Sequence, residues 1–171
     1  AAGRQCGVRR LPMPPIEGEL VSLAFELVRI QTFGRVLLSA SYPFEVWSDE
    51  RRLREAATGH NIGWDTGVVT LRLRNTDYFL DSTVTLEVLE NRTVQAAVPE
   101  LGSLSVFSNP GNCEIFVGTQ SIDYPPITSR LLAPGQYRVS RRCTNTQENS
   151  EQRAIVVANE DRRVEFRPLG P

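Results

Sequence analysis

The stretch "LLAPGQYRVS", residues 131 to 140, decides the fold class. Pro134 presets φ for the first position of a tight turn, and Gly135 can take the positive φ that a chain reversal needs. After the turn, Tyr137 and Val139 alternate with polar residues, as expected for a strand with one buried face. The stretch therefore predicts a turn, defined by Pro134 and Gly135, that leads directly into a strand.

The same pattern recurs along most of the chain. Short runs rich in Val, Leu and Thr alternate with period two and are separated by Gly, Pro, Asn and Asp. They are "RVLLSAS", "FEVWS", "GVVTLRLR", "STVTLEVLE" and "RTVQAAV", followed by "GSLSVFS", "CEIFVG", "GQYRVSRRC", "QRAIVVA" and "RRVEFRP". Many short strands with turn residues between them predict an all-β sandwich or small barrel.

The two sets of runs also align with each other. "GRVLLSASYPFEVWS" (34–48) aligns with "GSLSVFSNPGNCEIFVG" (102–118), and "TLEVLENRTVQAAVPELG" (85–102) aligns with "AIVVANEDRRVEFRPLG" (154–170). Similarity at a nearly fixed period is typical of an internal duplication. We therefore predict two tandem small β-sandwich domains, residues 34–101 and 102–171.

Two segments depart from this arrangement. Residues 1–33 combine a proline-rich leader with an extra element, and the pattern of 18–34 fits a strand and a helical face equally well. Residues 49–67, "DERRLREAATGHNIGWDTG", are predicted to be an insertion in the first repeat, with a helical turn around residues 51–57.

The second repeat resembles the PEGA domain, a small β-sandwich found in extracytoplasmic parts of bacterial and archaeal proteins. The similarity lies in a Gly-led strand from Gly102, a Ser-x-Pro turn at 108–110, a strand that ends at Gly118, and the Pro-Gly turn before a Tyr-x-Val strand. The family's name-giving tetrapeptide is replaced by "APGQ" (133–136), and the first repeat matches more loosely. The resemblance implies a β-sandwich fold, export and an interaction role, with no shared catalytic residues.

Composition and motifs argue against several functional classes. The formal net charge is −1, which does not favour nucleic acid as a partner. No apolar run approaches the ~20 residues of a membrane-spanning helix. The chain has no lysine for a phosphate-binding loop, no Gly-x-Ser-x-Gly motif and a single histidine, His60, which is predicted to be an exposed loop residue. We predict a protein that is not an enzyme and needs no cofactor or metal.

Acidic pairs are the remaining candidates for acid–base chemistry. The pairs Asp49-Glu50, Glu148/Glu151 and Glu160-Asp161 lie in polar, turn-like stretches, where a solvated role is expected. Two carboxylates at glycosidase spacing in one cleft would be needed to indicate a hydrolase.

The cysteines suggest a disulfide if the chain is exported. Cys113 lies on the same strand face as Ile115, and Cys143 shares the parity of Val139, although Arg141 suggests that its strand is reaching solvent there. A Cys113–Cys143 disulfide is the favoured interpretation, and two buried free thiols are the alternative. Cys6 is then free or intermolecular.

Four aromatic residues of the first repeat are candidates for binding. Trp47, Trp64, Tyr78 and Phe79 either fill the core of a small domain, which we favour, or contact a ligand or partner. Trp64, predicted to lie in a loop, is the best candidate for an exposed ring.

Together these features predict a non-enzymatic scaffold or spacer module in a cell-envelope or extracellular assembly, in the periplasm or at the cell surface of a bacterium. A protein partner or self-assembly through strand edges is expected. The alternative is a glycan-binding or cell-wall-sensing domain of a larger envelope protein, which predicts an exposed Trp47 or Trp64 beside polar groups.

Overall fold

The protein is described by a computed structural model that covers residues 32–144 and 149–168. The predicted all-β fold is confirmed: these described residues form strands and one 3-10 turn. The strands are β1 (Phe33–Ser48), β2 (Arg51–Asp65), β3 (Gly67–Asn75), β4 (Leu80–Val88), β5 (Thr93–Ala97), β6 (Gly102–Ser108), β7 (Cys113–Val117), β8 (Gln120–Asp123), β9 (Ile127–Leu132), β10 (Gly135–Cys143), β11 (Asn149–Val156) and β12 (Asp161–Phe166). The 3-10 turn, Thr76–Tyr78, connects β3 to β4.

The first half of the chain, residues 32–101, forms one long sheet. Its strands follow the order β2-β1-β3-β4, and β5 pairs in parallel with the beginning of β1. β1 pairs with both β5 and β3 because it has two regions: residues 35–39 pair with β5, and residues 45–47 pair with β3. Register irregularities between Ser39 and Trp47 mark the bend between these regions.

In the second half, residues 102–168, the equivalent strands pair in the same way but form two separate sheets. One has the order β12-β6-β9 and the other β11-β10-β7-β8, with the buried side chains of both sheets in one cluster. β6 pairs in parallel with β12, as β1 does with β5. β6 and β7 thus correspond to the two ends of β1, and β10 and β11 correspond to β3 and β4.

Equivalent backbone hydrogen bonds occur in both halves. The Arg35 N–H donates to the Arg92 carbonyl at 2.8 Å, and the Ser103 N–H donates to the Glu160 carbonyl at the same distance. The two donors, Arg35 and Ser103, are as far apart in sequence as the two acceptors, Arg92 and Glu160. Such agreement is expected of an internal repeat, while the predicted domain boundary at residues 101/102 stays a prediction.

The helical turn predicted around residues 51–57 is wrong. Residues 51–65 form β2, a continuous strand without a helical turn, and Asp49-Glu50 is the two-residue turn that joins it to β1. Leu53 packs against the first buried cluster as Ile122 packs against the second. β2 therefore occupies the position that β8 and β9 share in the second half. The extra element predicted in residues 1–33 lies outside the described residues, except that β1 begins at Phe33.

The chain bends at Pro134, but Gly135 plays a different part from the one predicted. It does not lie in the positive-φ region; it is the first residue of β10 and pairs with Val156. The Tyr137 ring lies 3.6 Å from the position that a Cβ would take at residue 135. Gly135 thus provides space for an aromatic ring, and Tyr137 and Val139 point to the buried side as predicted.

Candidate functional site

A disulfide joins Cys113 of β7 to Cys143 of β10, the pairing that the sequence favours. The two residues are direct cross-strand neighbours in the antiparallel pair, so the bond fastens adjacent strands of one sheet. Cys113 is fully buried. This placement indicates a structural bond rather than a reactive thiol pair.

Arg141 is buried, whereas the sequence suggested that its strand reaches solvent there. Its guanidinium donates to the Asn109 carbonyl at 2.9 Å and to the Arg167 carbonyl at 3.0 Å, and it lies 5.6 Å from the centre of the Phe166 ring. A guanidinium can be buried when carbonyl groups replace its water. Arg141 therefore closes one end of the second buried cluster.

His60 is also buried, so its predicted role as an exposed loop residue is wrong. It lies in β2, where its Nε2 is 2.8 Å from the Phe44 carbonyl and its ring packs edge-on against the Phe44 ring at 4.8 Å. The histidine is thus a satisfied member of the core.

The aromatic candidates occupy three different environments. Trp64 lies in β2 rather than a loop and packs, partly buried, against the first cluster. Tyr78 packs against the same cluster, and Phe79 packs against the second cluster. Trp47 points away from the core, on the outer face of the first sheet, because Val46 and Phe44 fill the inner positions.

Trp47 lies at the centre of a polar surface, which we call the Trp47 patch (Glu45, Trp47, Arg52, Arg72, Arg74). Its indole N–H donates to Glu45 at 2.8 Å, and Arg74 lies 5.3 Å from the centre of its ring. Arg52 and Arg72 are its cross-strand neighbours on the two sides. The patch combines the residue types that dominate protein-binding hot spots, Trp and Arg.

The carboxylates of this face are held ionised. The hydrogen bond from Trp47 and the neighbouring Arg52 lower the pKa of the Glu45 carboxyl. Arg72, which forms a two-pronged pair with Asp81, lowers the pKa of that carboxyl in the same way. A partner of this face would meet fixed charges of both signs around an indole.

A smaller version of the patch lies on the second half. Glu114, Phe116 and Arg142 occupy the positions of Glu45, Trp47 and Arg74, and Arg142 lies 4.1 Å from the centre of the Phe116 ring. Ser121 donates to Glu114 as Arg52 does to Glu45. The outer face is thus repeated, with tryptophan in place of Phe116 and two further arginines, Arg52 and Arg72, in the first half.

The two halves meet at a packed junction. The Ala133 N–H donates to the Tyr78 carbonyl at 2.7 Å, and Arg130 donates to the Asp77 carbonyl at 3.2 Å. Ala133, from the second half, is buried in the first cluster. Phe79, from the first half, is packed against the second cluster and lies 6.0 Å from the Tyr137 ring. Each half therefore contributes a side chain to the apolar packing of the other.

Two of the acidic pairs, Asp49-Glu50 and Glu160-Asp161, lie in turns and at a strand end as predicted, whereas Glu151 lies within β11 and Glu148 is outside the described residues. Asp49-Glu50 forms the exposed β1–β2 turn, and Glu151 forms an ion pair with Arg138 at 3.2 Å. Asp161 accepts hydrogen bonds from Ser103 and Ser105. Within residues 32–144 and 149–168, no three His, Cys, Asp or Glu side chains are grouped as metal ligands. No helix of the described chain is long and apolar enough to cross a membrane.

No protein-family model matches the chain, and no curated protein matches it. Among solved structures, the chain is similar to "The Bacillus anthracis TIE protein" at 11% identity and a TM-score of 0.32, over 91% of the chain. The match spans 39% of that protein's length. A TM-score of this size is too low to indicate a shared fold.

Proposed function

We propose that the chain is a non-enzymatic, exported module that acts as a spacer or scaffold in a cell-envelope or extracellular assembly. The observation that carries this proposal is the junction, where Ala133 and Phe79 pack into opposite halves. A spacer must hold its two ends at a fixed separation. Reciprocal packing does so because bending would expose both side chains to water.

The segment between the halves supports the same conclusion. Val98 and Leu101 pack against the first cluster, and the Leu101 carbonyl accepts from the Asn159 N–H at 2.9 Å. The connection is therefore bound on both sides and differs from the exposed, polar linkers that allow domain motion.

Export is supported by the disulfide, since such bonds persist in oxidising compartments. The periplasm or cell surface of a bacterium is the location that the resemblance to PEGA domains implies. Membership of that family is part of this proposal.

The junction can be tested by unfolding. Because both tryptophans, Trp47 and Trp64, lie in the first half, their fluorescence reports on that half, whereas circular dichroism reports on both. We expect one coincident urea transition for the natural chain. Phe79→Ala is expected to cost about 2 kcal/mol, roughly half the loss for a fully buried phenylalanine, and to separate the two transitions.

The matched control is Tyr124→Ala, since Tyr124 is an aromatic residue of the second half that is 54% exposed. It is expected to leave the transitions coincident. Separate transitions in the natural chain, or coincident and unshifted ones in Phe79→Ala, would contradict a rigid junction.

Glycan binding is a second candidate, and the Trp47 patch supports it. An indole beside charged side chains on an open sheet face offers a stacking surface and hydrogen-bonding groups for a sugar.

Co-sedimentation with bacterial cell-wall sacculi across a salt series tests this candidate. If it holds, Trp47→Ala weakens the affinity for sacculi at least tenfold, about 1.4 kcal/mol. Trp64→Ala, which removes a ring packed against the core, does not change the affinity beyond its effect on folding. A natural chain that stays in the supernatant would eliminate wall binding.

A further inference from the structure

The exposed edge of β2 carries an inference about assembly, which rests on the proposed scaffold function. Among the described strands, β2 pairs with β1 alone, so its other side is an open edge. Residues 59–65 pair without interruption with residues 33–39 of β1. An open edge of regular geometry is a template for another strand.

The hydrogen-bond pattern shows which residues face outward. The Thr66 N–H donates to the Thr32 carbonyl at 2.9 Å, which makes this a hydrogen-bonded antiparallel pair. Such pairs alternate with non-hydrogen-bonded ones along the ladder. The residues whose N–H and C=O groups point away from β1 are therefore Gly59, Asn61, Gly63 and Asp65.

The second half protects the same edge. In β9, Ser129 has a φ of 50°, and its N–H is taken up by the Ser105 hydroxyl at 3.0 Å. The register is irregular there, and Pro125-Pro126, which lack N–H groups, precede the strand. Bulges and prolines are the usual protection of an edge strand. Residues 59–65 contain no proline and no register shift.

We infer that residues 59–65 of β2 pair antiparallel with the same residues of a second copy, about a two-fold axis at Ile62. The chemistry of the segment favours a second copy because its side chains complement one another in this register. Gly59 lies opposite Asp65 and Gly63 lies opposite Asn61, so each outward-facing polar residue meets a glycine. The two Asp65 carboxylates, the charged groups of this segment, are kept at opposite ends of the interface.

This register also uses every outward-facing backbone group. The pairs 59/65 and 61/63, each formed twice by symmetry, are the hydrogen-bonded pairs, which gives about eight interchain bonds. Phe33, which pairs with Asp65 in β1 and is 55% exposed, lies beside the segment. The dimer would extend the first sheet continuously across two copies.

Sedimentation equilibrium of the full chain, carrying Cys6→Ser to exclude an intermolecular disulfide, tests the inference. We expect a concentration-dependent dimer of twice the chain mass of 19.1 kDa. Asn61→Pro removes an outward-facing N–H without removing a bond to β1, and it is expected to weaken dimerisation at least tenfold. Asn61→Ala keeps that N–H and is expected to dimerise within about threefold of the natural chain.

A chain that stays monomeric at all concentrations would overturn the inference, and so would Asn61→Pro dimerising like Asn61→Ala. Either result leaves the spacer proposal intact, because the junction at Phe79 and Ala133 does not involve β2's free edge. Conversely, separate unfolding of the two halves would contradict the spacer without affecting the dimer.

Discussion

Gly102→Ala is expected to destabilise the protein by about 3 kcal/mol, the upper end of the usual cost of overpacking. A Cβ at this position would lie 2.0 Å from the Val157 carbonyl oxygen and 2.7 Å from a Val156 methyl carbon. Neither neighbour can move freely, because one is backbone and the other lies in the second buried cluster. Urea unfolding followed by circular dichroism measures the loss.

The equivalent change in the first half, Gly34→Ala, is expected to have a similar effect. There the added Cβ would lie 2.3 Å from the Leu89 carbonyl oxygen and 2.7 Å from a Val88 methyl carbon. Gly63→Ala is the control, since nothing lies within 4 Å of the added atom. If Gly102→Ala were as stable as Gly63→Ala, the close approach of these strands would be wrong.

Replacing both Cys113 and Cys143 with alanine is expected to cost about 3–4 kcal/mol. The bond closes a loop with a sequence separation of 30, and loop-closure entropy of the unfolded chain gives a loss of that size. The measurement compares the urea midpoints of natural chain and variant, with and without a thiol reductant.

The two proteins are expected to unfold alike once the reductant has opened the bond. Because the halves are packed together at Phe79 and Ala133, the tryptophan transition of the first half should shift to lower urea together with the circular dichroism transition in the variant. A natural chain that is insensitive to reductant would show that the bond does not contribute to stability.

Period-two alternation identified most of the strands because one face of each is buried. It failed at β2, where residues 54–59 are exposed on both faces and carry no alternation to detect. The helical turn predicted around residues 51–57 is absent because cross-strand pairing with β1 fixes an extended backbone there.

The errors at buried polar residues have a different cause. His60 and Arg141 are polar residues at inward-facing positions, and their burial depends on carbonyls from distant segments: Phe44 for the histidine, Asn109 and Arg167 for the arginine. Such partners are brought together by the fold and have no local signal. The disulfide could be anticipated because strand parity places both cysteines on the inner side and the chain was expected to be exported.

The Trp47 patch could be anticipated only in part. The sequence identified Trp47 as a candidate, yet its position on the outer face depends on the inward positions of Phe44 and Val46. Its neighbours Arg52 and Arg72 come from two other strands, so their proximity follows from sheet register. The repeat of the patch at Phe116 follows from the internal alignment of the chain.

A distance measurement between the halves tests the central claim, a rigid two-part spacer, most directly. Nitroxide labels at Glu87 in the first half and Arg162 in the second, both exposed and in a Cys6→Ser chain, would be examined by pulsed electron resonance. We predict one distance distribution that is as narrow as that of a label pair within the second half, at Gln136 and Arg162. Phe79→Ala should broaden it. A broad distribution in the natural chain would show that the halves move independently and would contradict the account.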